Sequence, residues 1–291
     1  MRDEKLKTLA EAASLIRDGT SLGIASPAVS ADALVPMALI HEIIRQGKRR
    51  LVLRTAMASL EADLLIGGGC LSEIHFFGFS VFGTGVGPCY RRASAEGTVR
   101  TREESEFTAW LGVLAGSLGI DFIPLPGYQN DMARERSEWP TFPSPLDGKE
   151  LVAISAIVPD VAVLHVPRAD AYGNVQLGDT NRGNVAAEFT ATRMMQAAKH
   201  GIVTAEEIVP TDEIRRSQQG ADLLYNEVDA VVHVPRGAHP YGVADCYAAD
   251  SRHIKTYLEA AQSSDTFRKY LQHHILEPSG HREYLDRVGQ V

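Results

Sequence analysis

Residues 101–107 read Thr-Arg-Glu-Glu-Ser-Glu-Phe, three carboxylates within seven positions ahead of a stretch with helical periodicity. A glutamate can cap a helix, serve as a base or act as a nucleophile, and spacing helps to separate these roles. Thr101 followed three residues later by Glu104 has the capping-box spacing, in which hydroxyl and carboxylate each take a free amide of the helix start. Glu103 then falls in the first turn, where the helix dipole favours negative charge. Phe107, Trp110, Leu111, Leu114 and Leu118 form the stripe expected of a core-facing helix. Glu106 lies beside that stripe, one turn from Trp110. Half-burial against an indole disfavours a carboxylate's ionised form and suits general acid–base work, which makes Glu106 the candidate catalytic residue. A surface glutamate packing its stem on Trp110 is the plainer alternative.

Other groups with chemical potential are spread along the chain. The segment Val-Leu-His-Val-Pro-Arg-Ala at 163–169 recurs as Val-Val-His-Val-Pro-Arg-Gly at 231–237, each after an aspartate and a short apolar lead-in. Each reads as a buried strand leaving at proline. If both are parallel members of one sheet, Arg168 and Arg236 emerge at its carboxyl edge, where open α/β sheets bind ligands. Two guanidinium groups there suit a phosphate or carboxylate, although solvated loop arginines fit equally well. His165 and His233, inside those strands, read as hydrogen-bonded core histidines. Gly83 and Gly85, in the run Gly-Thr-Gly-Val-Gly, offer a turn rich in amides near Arg91 and Arg92, but match neither GxGxxG nor a Walker motif. Ser26 follows the first strand without a nucleophile-elbow frame. The three glycines at 67–69 read as a helix stop. His273 and His274 lack metal-binding spacing, and no metal site is expected.

These residues must be positioned by an alternation of helix and strand. An opening helix carries Leu6, Leu9, Ala13 and Ile16. The strand at 21–26 follows, then a helical pattern from Ala31 to Gln46, the strand at 50–55, a helix through 60–70 and a strand at 73–79. Such alternation with short separators predicts an α/β fold with a doubly wound, mostly parallel sheet and crossover helices. No change of composition marks a second domain, so a single domain over 1–291 is expected, with a helical tail from about 252. Two segments depart from tight connection: 83–97, and 124–150, which holds five prolines and no sustained periodicity. Loops of that length usually bind or cover something.

At 291 residues the chain is long enough for a sizeable core. Its 44% hydrophobic and 23% charged residues are ordinary for a globular protein. A net charge of −8, with no basic stripe, argues against nucleic acid as a partner. No apolar run is long enough to span a bilayer, and the first residues lack a signal-peptide pattern. Three widely spaced cysteines offer neither a disulfide framework nor a CxxC pair, so a reducing cytoplasm is expected.

Taken in order, several segments resemble one family. They include DGTSLGIAS, VPMALI, DLLIGGGC, YRRASAEGTV, EESEF and GIDFIPLPG, then PDVAVLHVPRADAYGNVQ, GIVTAEEIV, VDAVVHVPRGAHP and EYLDRVG. The chain resembles the alpha subunit of family I coenzyme A transferases, the group that includes the alpha subunit of glutaconate CoA-transferase. The resemblance implies a partner beta subunit of similar fold, with the active site at their interface. CoA would be a substrate rather than a resident cofactor, exchanged between an acyl-CoA and a carboxylic acid. In this family a glutamate attacks the thioester to form a mixed anhydride, and the returning CoA thiolate then forms a glutamyl thioester. That glutamate sits in a Ser-Glu-Asn-Gly type motif of the beta half, and none of the Ser-Glu pairs here continues that way. The resemblance thus implies the half that shapes the acyl pocket.

Two departures bear on the reaction. The family's Gly-Gly-Phe turn after the first strand is replaced by ASPAVSADAL. Glu106 stands where glutaconate-type enzymes resemble one another in a neutral amide, and where steroid-ring-opening CoA hydrolases resemble this chain in a glutamate that activates water. A hydrolase with Glu106 as base is therefore the first alternative. A non-catalytic effector-binding domain is the second.

Overall fold

The computed structural model describes residues 3–25, 32–126, 136, 139–178, 185–218 and 220–290, with 185–189 described by backbone alone. Along the chain run α1 (Leu9–Ser14), β1 (Ser21–Ile24), α2 (Met37–Arg45), β2 (Leu51–Thr55), β3 (Met57–Ala58) and α3 (Leu60–Gly67). There follow β4 (Leu71–Phe76), β5 (Gly78–Phe79), α4 (Pro88–Glu96), β6 (Arg100–Glu103) and α5 (Glu106–Leu118). Next come β7 (Phe122–Pro126), β8 (Thr141–Pro143), β9 (Glu150–Ser155), β10 (Val161–Ala169), β11 (Val175–Gln176) and α6 (Val185–Ala197). The last part contains β12 (His200–Ile208), α7 (Thr211–Arg216), β13 (Ala230–His233), α8 (Ser251–Ala260), α9 (Ser264–Leu271) and α10 (His281–Val288).

The main sheet has the order β13-β12-β10-β1-β2-β4-β6, with every pair on this path parallel and β11 antiparallel on β10. From β1 the chain winds outward through β2, β4 and β6, then returns beside β1 and winds the other way. The order reverses between β1 and β10, so the doubly wound reading holds and that junction is the topological switch point. Strand β10 is buried along nearly its whole length, as expected of a central parallel strand covered on both faces.

Several local expectations change. Helix α2 starts at Met37 rather than Ala31, because Pro36 disfavours helical geometry in the residue before it. The 83–97 segment is a turn followed by α4. The 124–150 segment is not an unpatterned loop: its described parts contribute to an antiparallel sheet β7-β9-β8, built on the small core of Trp139, Val152 and Ile154. A capping box does form, but at α1: Thr8 Oγ1 accepts from Glu11 N at 3.2 Å, and Glu11 Oε2 accepts from Thr8 N at 2.7 Å.

Helix α5 keeps only the middle of the expected stripe, with Trp110, Leu111 and Leu114 half-buried. Phe107 and Leu118 are exposed at 59% and 58%, while Thr108, Gly112, Val113 and Ala115 are buried. The inward face is a small-residue face. A Cβ on Gly116 would stand 2.3 Å from the Ile157 carbonyl oxygen and 3.1 Å from Ala197 Cβ of α6. A Cβ on Gly112 would stand 2.8 Å from Ile157 Cγ1. Small residues therefore stand at Gly112 and Gly116, where the backbone itself approaches its neighbours.

The tail is fastened to the sheet layers by specific bonds. Tyr257 of α8 donates to Asp63 of α3 at 2.7 Å, and Arg45 Nε of α2 donates to the Ile275 carbonyl at 2.8 Å. Phe267 fills the space a side chain on Gly67 would need. Among the described residues no helix is long and apolar enough to cross a membrane.

Candidate functional site

The carboxyl ends of β2, β4 and β6 deliver Arg54, His75 and Glu104 to one place. Arg54 and His75 are polar residues within apolar strands, and parallel pairing puts them side by side in register. Glu104 follows β6, its amide donating to the Phe76 carbonyl at 2.8 Å. Its carboxylate is almost fully buried. Oε1 lies 3.2 Å from Arg136 Nη1, 3.5 Å from Arg102 Nε and 3.6 Å from His75 Nδ1. His75 Nε2 is 2.8 Å from Glu73 Oε1, and Glu73 also pairs with Arg100. Arg54 Nη1 donates toward His75 Nδ1 at 3.3 Å, and its Nε toward Ser21 Oγ at 3.1 Å.

Burial by itself raises the pKa of Glu104. The His75 contact and the Arg136 and Arg102 charges outweigh it and hold the carboxyl below its ordinary value. Burial also pulls the Arg54 guanidinium below its ordinary value, against the opposing pull of Glu104 and Glu73. Among the described residues, the guanidinium groups of Arg54, Arg100, Arg102 and Arg136 gather here around the Glu73 and Glu104 carboxylates. Beside the charges lies a small apolar recess of about 30 Å³, lined by Ala109, Trp110 and Val113 of α5 with Ile157 and Met194. A charged end beside an apolar wall matches an acyl chain bearing a carboxylate or thioester in chemistry, but at this volume the described residues form only one side of such a pocket.

The acidic segment is allotted differently from the expectation. Thr101 lies in β6 with its hydroxyl 3.1 Å from Tyr90 Oη, so it caps nothing. Glu103 closes the same strand, and its carbonyl accepts from Arg136. The helix starts later than the capping-box register: Ser105 is the N-cap, its Oγ accepting from Thr108 N at 3.1 Å. Glu106 therefore occupies the first turn, where the helix dipole favours it, rather than the second. It is exposed instead of half-buried against Trp110, and its carboxylate has no hydrogen-bond or ion-pair partner among the described residues.

The remaining predicted residues separate. Ser26 lies outside the described residues. Gly83 and Gly85 adopt φ of +75° and +108°, which explains glycine at both, and they form an exposed turn before α4. The amides at the start of α4 are already taken: Asp63 accepts from Tyr90 N at 2.7 Å and from Cys89 N at 3.3 Å. An internal carboxylate thus occupies the anion position that the glycine run suggested. Arg91 is exposed on α4, donating to the Val86 carbonyl.

Arg168 and Arg236 reach the same sheet edge but line no common cavity among the described residues. Arg168 is engaged by Glu213 and by Glu207 Oε2, the latter 3.3 Å from its Nε. Arg236 lies over the Tyr247 ring, its Cζ 4.5 Å from the centroid. His165 is the buried core histidine expected, bonded to Thr204 and to Glu206, whereas His233 is exposed. The residues missed were Arg54, Glu73, His75 and Arg136. A charged residue in an apolar strand was the available signal for Arg54; Arg136 carried none, because its neighbours lack periodicity.

A family model described as coenzyme A transferase matches residues 6–233. The chain is 31% identical over 264 residues to the A subunit of 3-oxoadipate CoA-transferase from Pseudomonas knackmussii, covering 88% of this chain and 89% of that protein. It is 32% identical over 293 residues to an uncharacterised protein of Archaeoglobus fulgidus, spanning 99% of this chain and 63% of that protein's length. The Rhodococcus jostii cholesterol ring-cleaving hydrolase IpdA subunit is 25% identical over 281 residues, 93% of this chain and 91% of its own. Among solved structures, glutaconate coenzyme A-transferase from Acidaminococcus fermentans superposes with a TM-score of 0.86 at 25% identity, covering 98% of this chain and 93% of that chain. The decarboxylase AibA/AibB superposes with a TM-score of 0.78 at 32% identity, covering 94% and 100%. With the family match over most of its length and a 31% identical relative covering 88% of it, the chain belongs to the coenzyme A transferase family.

Proposed function

We propose that this chain is the alpha half of a two-subunit acyl-CoA:carboxylate CoA-transferase. It would shape the acyl pocket while a partner subunit supplies the nucleophilic glutamate. The observation that carries this reading is the near full-length similarity to the A subunit of 3-oxoadipate CoA-transferase. The chain's own carboxylates support it. Glu104 is held by His75, Arg102 and Arg136, and Glu206 by His165 and the amides of Arg236 and Gly237. Glu61 is fully buried and pushed up to about 7 by desolvation. None of these is placed to attack a thioester. The Arg54–His75–Glu104 edge and the recess beside Trp110 are assigned to the acyl group.

The test is acyl exchange from an acyl-CoA to acetate by the purified chain, alone and co-expressed with its partner subunit. The chain alone should be inactive and the complex active. Full exchange by the single chain refutes the reading.

The unpaired Glu106 favours one second reading: a hydrolase that uses this carboxylate as general base, supported by the similarity to the IpdA subunit. Glu106→Gln in the assembled complex separates the two. A transferase retains exchange, whereas a Glu106-dependent hydrolase loses turnover with the complex intact. Carbon dioxide release without exchange or hydrolysis would instead align the chain with the decarboxylase AibA/AibB.

A further inference from the structure

Histidine is distributed unevenly in this chain. Six of its ten histidines gather where the C-terminal tail docks: His41 on α2, His239 after β13, His253 on α8, His273 and His274 after α9, and His281 on α10. Their rings form a connected group around Tyr284. The His41 centroid lies 4.6 Å from that of Tyr284, Tyr284 5.5 Å from His239, His239 5.4 Å from His253, and His253 5.1 Å from His274. His281 stacks on Tyr284 at 5.9 Å. In the sheet, by contrast, His75 and His165 each meet a carboxylate, Glu73 at 2.8 Å and Glu206 at 2.6 Å.

Geometry alone makes protonation unfavourable in the docked tail. An imidazolium carries two N–H donors, and each needs an acceptor once buried. Nδ1 of His41, His274 and His281 is buried with no hydrogen-bond partner among the described residues. At His281, Nε2 donates to the Pro235 carbonyl at 3.2 Å, so a proton added at Nδ1 meets no acceptor. The neighbouring guanidinium is itself under-satisfied. Arg45 donates through Nε to the Ile275 carbonyl and through Nη1 to Glu42, while its Nη2 is buried and unpartnered among the described residues. His253 bonds through Nε2 to the Tyr270 hydroxyl at 2.8 Å. His239 is the exception, with Nδ1 2.8 Å from Tyr284 Oη and Nε2 3.2 Å from Asp250 Oδ2.

The facing charges act in the same direction. Burial, then Arg45 and the other histidines, pull His41 well below its ordinary value. Burial brings His253 down to about 3, helped by His239 and His274. Burial, His273 and Arg287 bring His274 to about 4. Burial brings His281 to about 4 against the pull of the Pro235 carbonyl, helped by His165, His239 and Arg45. Burial lowers His239 too, outweighing Asp250, with Arg236 adding to it. The carboxyls of Asp250, Glu277 and Glu283 are held below their ordinary values, so they stay ionised above about pH 5 whether the tail is docked or released. Asp63, which accepts from Tyr257 Oη, is raised by burial, so acid does not oppose docking there. Tyr257, Tyr270 and Tyr284 are pushed up by burial and stay neutral.

We propose that the tail is an acid-released clamp: protonation of this histidine cluster undocks α8–α10 from α2 and from the turn after β13, while the parallel sheet stays folded. A released histidine takes up a proton below about pH 6.5 and a docked one does not. Undocking therefore gains up to about tenfold per histidine for each pH unit below that value. Between pH 7 and pH 5 one histidine contributes about 20- to 30-fold, and two acting together about 400-fold or more.

The test is hydrogen exchange of the full-length chain at pH 7 and pH 5, corrected for intrinsic rates and read separately in 251–288 and in β10. Protection of α8–α10 should fall by about 400-fold or more, while β10 loses less than about tenfold. His281→Gln keeps a donor for the Pro235 carbonyl and removes one titrating ring, so the fall in the tail should shrink by about 20- to 30-fold. His274→Gln, at a half-buried ring, should do the same and serves if the first variant misfolds. His200→Gln, at an exposed ring opening β12, should change nothing. A fall in the tail smaller than about 20-fold, the value for one histidine, overturns the proposal. So does loss of protection in parallel in the tail and β10, or a response unchanged in a folded His281→Gln or His274→Gln.

Discussion

The Glu104→Gln substitution changes one buried charge and almost no volume, so it isolates the electrostatics at the carboxyl edge of β6. Glu104 is 8% exposed in its side chain and Arg136 12%, with Oε1 3.2 Å from Arg136 Nη1 and 3.5 Å from Arg102 Nε. At an effective dielectric near 20, each contact is worth about 5 kcal/mol of attraction. Neutralising the carboxylate also removes its own desolvation penalty, several kcal/mol, and Arg102 is exposed enough to recover water. The new amide can offer the guanidinium donors only one neutral oxygen, and the Glu104 counter-charge of Arg136 is lost. The net expectation is a loss of about 3 kcal/mol in unfolding free energy, measured by urea denaturation at pH 7.

A pH series adds a second readout. The folded-state pKa of Glu104 is lowered, so its contribution is present above the unfolded carboxylate value and is lost as pH falls through the folded value. The variant should therefore lose part of the wild-type acid limb, and the two proteins should converge in stability as pH drops below about 4. Glu103→Gln is the control: Glu103 is exposed at the strand end and should stay within about 0.5 kcal/mol of wild type. A Glu104→Gln protein within that same margin, with an unchanged acid limb, would refute the account of this network.

Three further substitutions follow from local geometry. Ser105→Ala removes the α5 cap and should cost about 1 kcal/mol in the same denaturation assay. Gly116→Val puts a branched side chain against the Ile157 carbonyl and Ala197, and should cost about 2–3 kcal/mol or more, with α5 displaced from α6. Tyr257→Phe leaves Asp63 without its hydroxyl donor, and should cost about 1–2 kcal/mol and speed limited proteolysis of the helical tail.

What could be read before folding depended on whether a residue's neighbours in sequence were its neighbours in space. The parallel sheet was legible because alternation of strand and helix is periodic, and β10 stood out as a continuous apolar run. Local signals were legible too: the glycines at 67–69 end α3, with Gly69 at φ +69°. The α5 stripe misled because hydrophobicity and burial were treated as one signal. Close backbone approach selects small residues inward, and the series Thr108, Gly112, Ala115 was the readable mark of that face. The Glu104 network was not legible because its members come from three strands and from Arg136, 32 positions away. Only tertiary pairing brings those charges together. The family resemblance reached further than periodicity did, since it draws on order along the whole chain.

The segment around Ser105 ties these observations to the division of labour proposed for the two subunits. Ser105 stands where an extended strand turns into a helix, and the backbone change sends Glu104 and Glu106, two residues apart, into opposite environments. Glu104 serves structure: it gives Arg136 and Arg102 a fixed counter-charge. Glu106 is left at a helix start, exposed and unpaired among the described residues, on the helix that walls the apolar recess. A carboxylate so placed costs the isolated chain almost nothing. Covered by the second subunit proposed above, it would be desolvated, and its surroundings would be set by what that subunit brings. One chain would then supply a charge-lined half-pocket, whose chemistry is decided by the surface that closes it. On that argument, transfer and hydrolysis can share this scaffold, because the surroundings of Glu106 can change while the Glu104 network behind it does not need to.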